Sequence, residues 1–421
     1  MQYDNNIMYT CVIVCTVDIP TTSRCSKTTM AFVRDRHRRL ILICVATLLL
    51  VLHLRAPATP SPPAPEPSQS QPYGRILIAS NHWNSAKILP VWSAAVLALV
   101  EQLGVTNVHV SVYESGSWDD TKAHLRRLDA ELERRGVART MVLDVTTHAD
   151  ELARGRGGDA SVGWLRSRAT GKWELRRIPY LARLRNEVLR PLATANATHG
   201  FDRILFVNDV VFSARDALAL LATRAGAYAA ACALDFRFAG EFYDTFALRD
   251  ADGRPAASQR WPFFGAGRSR RALGVGDSVV PVRACWNGMV AFDAAPFVRA
   301  SLPLRFRAID DALADAHVEA SECCLVHYDN PLSREPGKGV WVNTDVRVAY
   351  SVEAYEASRV WPTVRERAYG WAASLVAGLL GLPWRNAKVA RRLRSWGGVE
   401  AGADCLIDEM QVLRGNGWKH L

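Results

Sequence analysis

From Tyr73 onward the chain alternates short apolar runs with amphipathic segments, and this alternation restricts the architecture more than any other feature. Arg75–Ser80 is such a run, and Pro90–Leu103 reads as a helix with proline in its tolerant first turn and Gly104 as its stop. Val108–Tyr113, Thr140–Val145 and Arg203–Val207 read as strands, separated by helices at Asp119–Arg135 and Tyr180–Ala195. Alternation at this spacing predicts an α/β fold on a parallel sheet, with ligands beyond the C-terminal ends of the strands. After Phe212 the pattern decays into strands at Tyr228–Asp235, Ser278–Cys285, Gly288–Asp293 and Val340–Tyr350, joined by long polar or glycine-rich connections. The expected sheet is therefore mixed and largely parallel.

The first 72 residues follow other rules. Arg34-Asp35-Arg36-His37-Arg38-Arg39 precedes Leu40–Leu54, an uncharged apolar run that ends at Arg55. As a helix this run spans roughly 22 Å, short of an average hydrocarbon core of roughly 30 Å. Snorkelling arginines or a thinner early-secretory membrane close the gap. The basic cluster on the N-terminal side predicts a signal anchor with residues 1–39 in the cytosol. A cleaved signal peptide is the alternative, but no Ala-x-Ala-like site closes the run. Seven prolines between Pro57 and Pro72 make residues 55–72 an extended stem. The division expected is tail 1–39, anchor 40–54, stem 55–72, catalytic portion 73–360 and a helical extension 361–421, whose Trp384–Trp396 segment is basic.

The formal net charge of +10 does not point to nucleic acid, because residues 1–55 hold seven Lys/Arg against three Asp/Glu and no nucleic-acid motif accompanies the remainder. Five cysteines follow the anchor: Cys232, Cys285, Cys323, Cys324 and Cys405. In an oxidising lumen an odd number leaves at least one thiol free or bonded between chains. The vicinal pair Cys323-Cys324 does not readily bond to itself, and no Cys-x-x-Cys zinc pair exists. Asn196-Ala197-Thr198 is a glycosylation sequon consistent with lumenal exposure.

The most informative run is Ile204-Leu-Phe-Val-Asn208-Asp209-Val-Val-Phe212. A buried strand that ends in a carboxylate sets that charge at the mouth of the sheet, where a divalent cation and a diphosphate can meet it. Asn208-Asp209 capping the next helix is the alternative. Arg177, Arg185 and Asn186 lie on the preceding helix, facing either phosphate and sugar or solvent. Glu114-Ser115-Gly116-Ser117, after the second strand, either holds a base or ribose or merely turns the chain. His82 and Trp83 follow the first strand as nucleotide contacts or plain loop. Trp286 offers a flat face for a pyranose ring and Asn287 can bond its hydroxyls, with core packing of Trp286 as the other reading.

These pieces occur in one collinear order that resembles a known family. Ile76–Asn81, Val110–Ser117, Arg185-Asn186, Leu205–Val210, Asp244-Thr245, Arg249-Asp250, Cys285–Met289, Val340–Asn343 and Arg347–Tyr350 are similar to the fungal α-1,3-mannosyltransferases of glycosyltransferase family 69. That family includes the cryptococcal mannosyltransferase and capsule-associated proteins. The resemblance implies a GT-A-like fold, GDP-mannose as donor, retention of configuration, a divalent cation such as Mn²⁺, a mannose-containing acceptor and residence in the Golgi as a single-pass type II protein.

By residue, the resemblance implies Asp209 as metal ligand and His327 as a second one, with a structural histidine as the alternative. Ser80, Glu114, Arg185, Asn186 and Asn208 are expected at the donor, and Asp235, Asp244, Trp286 and Asn287 at the acceptor or sugar. Glu322, with Glu319 nearby, is the acidic group expected near the acceptor, where it either acts in catalysis or only orients. Val207-Asn208-Asp209 stands where such enzymes usually have Asp-x-Asp, so the first carboxylate is missing. That gap leaves room for a catalytically silent polysaccharide-assembly factor, or for a relative with another donor or linkage.

Overall fold

The computed structural model describes residues 73–156, 162–167, 171–194, 200–265, 267–299, 301–360, 362–364, 366–368 and 382–421. The anchor, the stem and the sequon at Asn196 lie outside the described residues. Among the described residues no helix is long and apolar enough to cross a membrane.

Strands β1 (Ile76–His82), β2 (Val108–Ser115) and β3 (Ala138–Asp144) run parallel, and two short strands β4 (Trp164–Arg166) and β5 (Trp173–Leu175) form a separate hairpin. The main sheet continues with β6 (Arg203–Val207), β7 (Ala230–Phe238), β8 (Glu241–Phe242), β9 (Arg249–Asp250), β10 (Val279–Ala284), β11 (Met289–Asp293) and β12 (Val340–Ala349). Its order is β3-β2-β1-β6-β11-β7-β12-β10-β9, with β8 paired to β7. β11 is antiparallel to both β6 and β7, so these two point the same way, and β12 is parallel to β7. The C-terminal ends of β1, β2, β3, β6, β7 and β12 thus share one edge. A last hairpin, β13 (Gln411–Arg414) and β14 (Gly417–His420), closes the chain.

Alternate side chains of one strand bury into two different cores, as a period of two requires. Ile76 and Ile78 face helices α1 (Leu89–Leu103), α2 (Thr121–Arg134) and the later Ala214–Leu221, whereas Leu77 and Ala79 face α3 (Arg177–Val188) and α4 (Glu322–Asp329). Along α1, Leu89, Trp92, Val96, Leu99 and Val100 recur at helical spacing on the buried side. Helix Ala214–Leu221 starts at Ser213, whose side chain and that of Asp216 form a capping box. Asn208-Asp209 is therefore free of the capping role.

The expected helical extension at the C-terminus is a helix, Leu382–Trp396, followed by the β13–β14 hairpin. The helix is docked through Arg392, which pairs with Asp408. Gly415-Asn416 supplies the two-residue turn between the hairpin strands, a signal present in the sequence. Disulfides Cys232–Cys285 and Cys324–Cys405 form, and Cys323 stays free and buried.

Arg176, just before α3, has no exposed surface. Its guanidinium lies 2.6 Å from Glu319 and 2.7 Å from Asp311, and its backbone bridges Val412 of β13. Glu319 in turn exchanges backbone bonds with Ile407. This buried pair joins α3, the loop before α4 and the C-terminal hairpin. Removing one member leaves the other charge uncompensated, so Arg176→Leu is expected to lower stability by about 3–5 kcal/mol in urea unfolding. A loss under about 1 kcal/mol would show that the pair does not hold these segments together.

Candidate active site

The shared strand edge is where the chain's chemistry collects. β6 ends at Val207 and the next two residues turn out of the sheet, leaving Asp209 half-buried at the mouth. The Ser85 hydroxyl bonds its carboxylate, and the positive charge of Arg185 acts on it. Loss of water contact nevertheless dominates and pushes the Asp209 carboxyl up to about 6. Asn208 fixes the turn: its backbone N–H donates to Gly288 O at 2.9 Å, its carbonyl accepts from Trp92 Nε1 at 3.0 Å, and its Oδ1 accepts from Trp286 Nε1 at 3.2 Å.

Trp286-Asn287-Gly288 leads into β11 from the same edge. Gly288 has φ of 74°, and a Cβ there would lie 2.9 Å from Val348 and 3.0 Å from Asp235, so only glycine fits. Arg185 lies over the Trp286 ring at 4.2 Å and donates from Nε to Glu322 Oε1 at 2.8 Å. The Cys323 thiol donates to the same Glu322 oxygen at 3.3 Å. Trp286 is thus a buried platform under a guanidinium, with its ring face already occupied.

Asp235 on β7 is fully buried. It accepts from the Tyr350 hydroxyl at 3.0 Å and from the Asp244 backbone N–H at 3.1 Å. Burial, aided by the negative charge of Asp244, pushes its carboxyl up to about 8. Asp244 is raised as well, by burial and by the charge of Glu322, although N–H groups of Ala247 and Asn287 bond it and Arg185 faces it. Four acidic groups, Asp209, Asp235, Asp244 and Glu322, of which Asp235 keeps its proton at neutral pH, therefore meet two guanidiniums, Arg185 and Arg177. A diphosphate approaching this set would meet an excess of negative charge unless a cation came with it.

The expected donor residues divide. Ser80 donates to Val207 O at 2.6 Å and is fully buried, which ties β1 to β6 and removes it from any ligand. Glu114 accepts from Ser117 N–H at 2.5 Å and pairs with Lys122 at 2.9 Å, so it holds the turn after β2 rather than a ribose. Asn186 bonds both the N–H and the carbonyl of Phe306 and serves to anchor that loop. Asn287 adopts φ of 58° and donates to Ala233 O at 2.8 Å in full burial, so it builds the turn and offers nothing to a sugar.

His327 is also internal. Its Nε2 meets Cys285 O at 2.6 Å and its ring stacks on Phe292 at 5.4 Å. A ring nitrogen also lies within 4.8 Å of the Cys232 and Cys285 sulfurs, and the residue is 1% exposed, so His327 is packed inside the fold. Burial lowers its pKa to about 4. Among the described residues the grouping of His, Cys, Asp and Glu side chains close enough to share a metal is Cys232, Cys285 and His327. The two sulfurs there are joined in a disulfide and are not ligands.

Sequence alone does not mark Tyr350 or the side-chain oxygen of Asn81 as site components, whereas Arg177, His82 and Trp83 are expected there as one of two readings. Asn81 Oδ1, His82 Nδ1 and Trp83 Nε1 are buried and have no hydrogen-bond partner among the described residues. Trp83 stacks on His148 at 4.5 Å and meets Trp118 edge-on at 5.1 Å. Arg177 donates to Gln411 Oε1 at 2.7 Å and lies 4.2 Å from the Trp418 ring, so the C-terminal hairpin holds it in place. No local sequence pattern links residue 177 to residue 411.

The sequence model of the family described as cryptococcal mannosyltransferase 1 matches residues 75–329, more than half of the chain. No curated protein matches it. Among solved structures the chain is similar to the mannosyltransferase PcManGT from Pyrobaculum calidifontis in complex with GDP-Man and Mn²⁺, at 14% identity and a TM-score of 0.35, over 86% of this chain and 88% of that one. It is similar to S. aureus TarS in complex with UDP at 13% identity and TM-score 0.33, over 71% and 69% of the two chains. A glucosyl-3-phosphoglycerate synthase from Mycobacterium tuberculosis with Mn²⁺, UDP and phosphoglyceric acid is similar at 13% identity and TM-score 0.31, over 74% and 83%.

The proton held by Asp235 has a measurable consequence. In the unfolded chain this carboxyl titrates near 4, whereas in the folded protein it keeps its proton to about 8. Stability from this group is complete below about pH 4 and lost as pH rises through about 8. The melting temperature is expected to fall between pH 5 and 8, and Asp235→Asn, neutral throughout, is expected to flatten that slope. An unchanged slope in the variant would contradict the assignment.

Proposed function

The chain belongs to the cryptococcal mannosyltransferase 1 family, and from that premise we propose that it is a retaining α-1,3-mannosyltransferase using GDP-mannose. In this reading the fold is GT-A-like and the acceptor is a mannose-containing glycan. The observation that carries the proposal is Asp209: a half-buried carboxylate at the end of a central strand, faced by Arg185 and bonded by its own backbone N–H and the Ser85 hydroxyl, with burial still dominating. A carboxylate so poorly hydrated is stabilised by a cation, and magnesium-like ions often take one or two protein carboxylates plus phosphate oxygens and water. A divalent ion such as Mn²⁺ at Asp209 would offset the charge developing on the departing diphosphate.

The chain's own residues do the rest. Arg185, held by Glu322 and Trp286, points its remaining donors at the diphosphate. The half-buried Asn81 and Trp83, at and just beyond the end of β1, are the polar partners assigned to the nucleotide. In a front-face transfer the bond from the anomeric carbon to phosphate breaks, the bond to the acceptor oxygen forms on the same face, and the acceptor proton passes to the leaving phosphate. Glu322, already bonded to Arg185 and Cys323, orients these groups and does not take the proton. Two disulfides agree with a lumenal site, and the proposal includes a type II anchor at 40–54 and residence in the Golgi.

Asn208, in place of a first carboxylate, favours as second reading a silent polysaccharide-assembly factor of the same fold. Transfer by the detergent-solubilised full chain from a panel of GDP- and UDP-sugars separates the two. Transfer from GDP-mannose is expected, and absence of transfer and of nucleotide binding would favour the silent factor. Asp209→Ala is expected to reduce transfer at least about a hundredfold without lowering the melting temperature. Full activity in that variant would remove the basis of the proposal.

A further inference from the structure

A cavity of about 640 Å³ lies between the segment after Asp244, the helix Leu382–Trp396 and the β13–β14 hairpin. Its size is within the range of small-molecule sites, roughly 300–1,000 Å³. Thr245 and Phe246, the apolar Ala390 and Leu393, and the polar Glu409 and His420 are among the residues that line it. Arg249 also borders it, but its guanidinium is committed to the carbonyls of Phe246, Leu248, Asp404 and Cys405. Asp408 is paired with Arg392 and Glu409 with His420.

The lining therefore combines carboxylates, an amide and an imidazole with apolar side chains, and four of the five donors of its arginine are committed to carbonyls. A phosphate would meet the negative charges of Asp404, Asp408 and Glu409. A neutral pyranose ring suits the same walls: its hydroxyls donate to carboxylates and its C–H face lies on Ala390 and Leu393. The cavity is also wired to the reaction centre. Gln411, part of its lining, donates to Glu409 at 2.7 Å and accepts from Arg177 at 2.7 Å, and Arg177 carries its charge toward Glu322 and Arg185.

We infer that this cavity is the acceptor subsite and takes a neutral hexopyranoside, with part of its lining supplied by residues 382–420, which lie beyond the 75–329 family match. The inference rests on the transferase reading. It makes acceptor choice a property shared between the C-terminal segment and the matched region.

The test uses an α-linked mannobiose as probe, followed by saturation-transfer NMR on the solubilised full chain, with GDP and Mn²⁺ followed separately by calorimetry. Ala390→Trp, which fills the cavity, is expected to weaken mannobiose at least about tenfold while GDP affinity stays within about twofold. Glu409→Gln, which keeps the shape, is expected to weaken mannobiose less, with GDP again unchanged. Retained GDP binding reports that each variant is folded. Mannobiose binding both variants as it binds the wild type would overturn the subsite. Mannobiose bound in the cavity by a wild type that binds no GDP would instead overturn the nucleotide reading alone, and binding of neither ligand would overturn both.

Discussion

Arg185 sits on the indole of Trp286 with its Nε hydrogen-bonded to Glu322, and its charge also reaches Asp209 and Asp244. Two unit charges about 4 Å apart interact by about 4 kcal/mol at an effective dielectric of about 20, so the removal of this guanidinium would leave several acids facing one another. The cluster persists because the backbone holds it: N–H groups bond Asp244 and Asp235, and the turn at Asn287-Gly288 locks Trp286 below. Its excess of acid over base suits the proposed function, in which a cation accompanies an anionic leaving group.

The sheet brings these groups together by direction alone. Because β11 is antiparallel to both of its neighbours, β6 and β7 point the same way and deliver Asp209 and Asp235 to one edge, and β12 delivers Tyr350 there as well. The helices that cover the two faces contribute Arg185 and Glu322 from the same side, α3 and α4. Thus residues more than a hundred positions apart become first neighbours without any local motif.

Much of the frame was legible in the sequence because hydrophobic periodicity is local. The strand at Arg203–Val207 and the stop of α1 at Gly104 lie where their patterns end. The site was legible only in part. Asp209 and Arg185 could be named as candidates because a charge that follows an apolar run, or lies on a helix face, is visible in sequence. Glu322 was named through the resemblance, and the fold sets Arg185 against both of the others. Ser80, Glu114, Asn186, Asn287 and His327 were expected at ligands and proved internal, since sequence cannot reveal which backbone groups a polar side chain satisfies across the fold. The role of the C-terminal hairpin was hidden for the same reason: Gln411 and Arg177 meet through packing, and Gly415-Asn416 announces only a turn.

The central claim is that the carboxylate of Asp209, not the buried pair Asp235–Asp244, receives the divalent ion. Anomalous scattering from crystals grown with GDP and Mn²⁺ tests it most directly. The account predicts one manganese peak at the Asp209 carboxylate, with the diphosphate between it and Arg185. A peak on the Asp235–Asp244 pair, or nucleotide bound with no peak at Asp209, would contradict it.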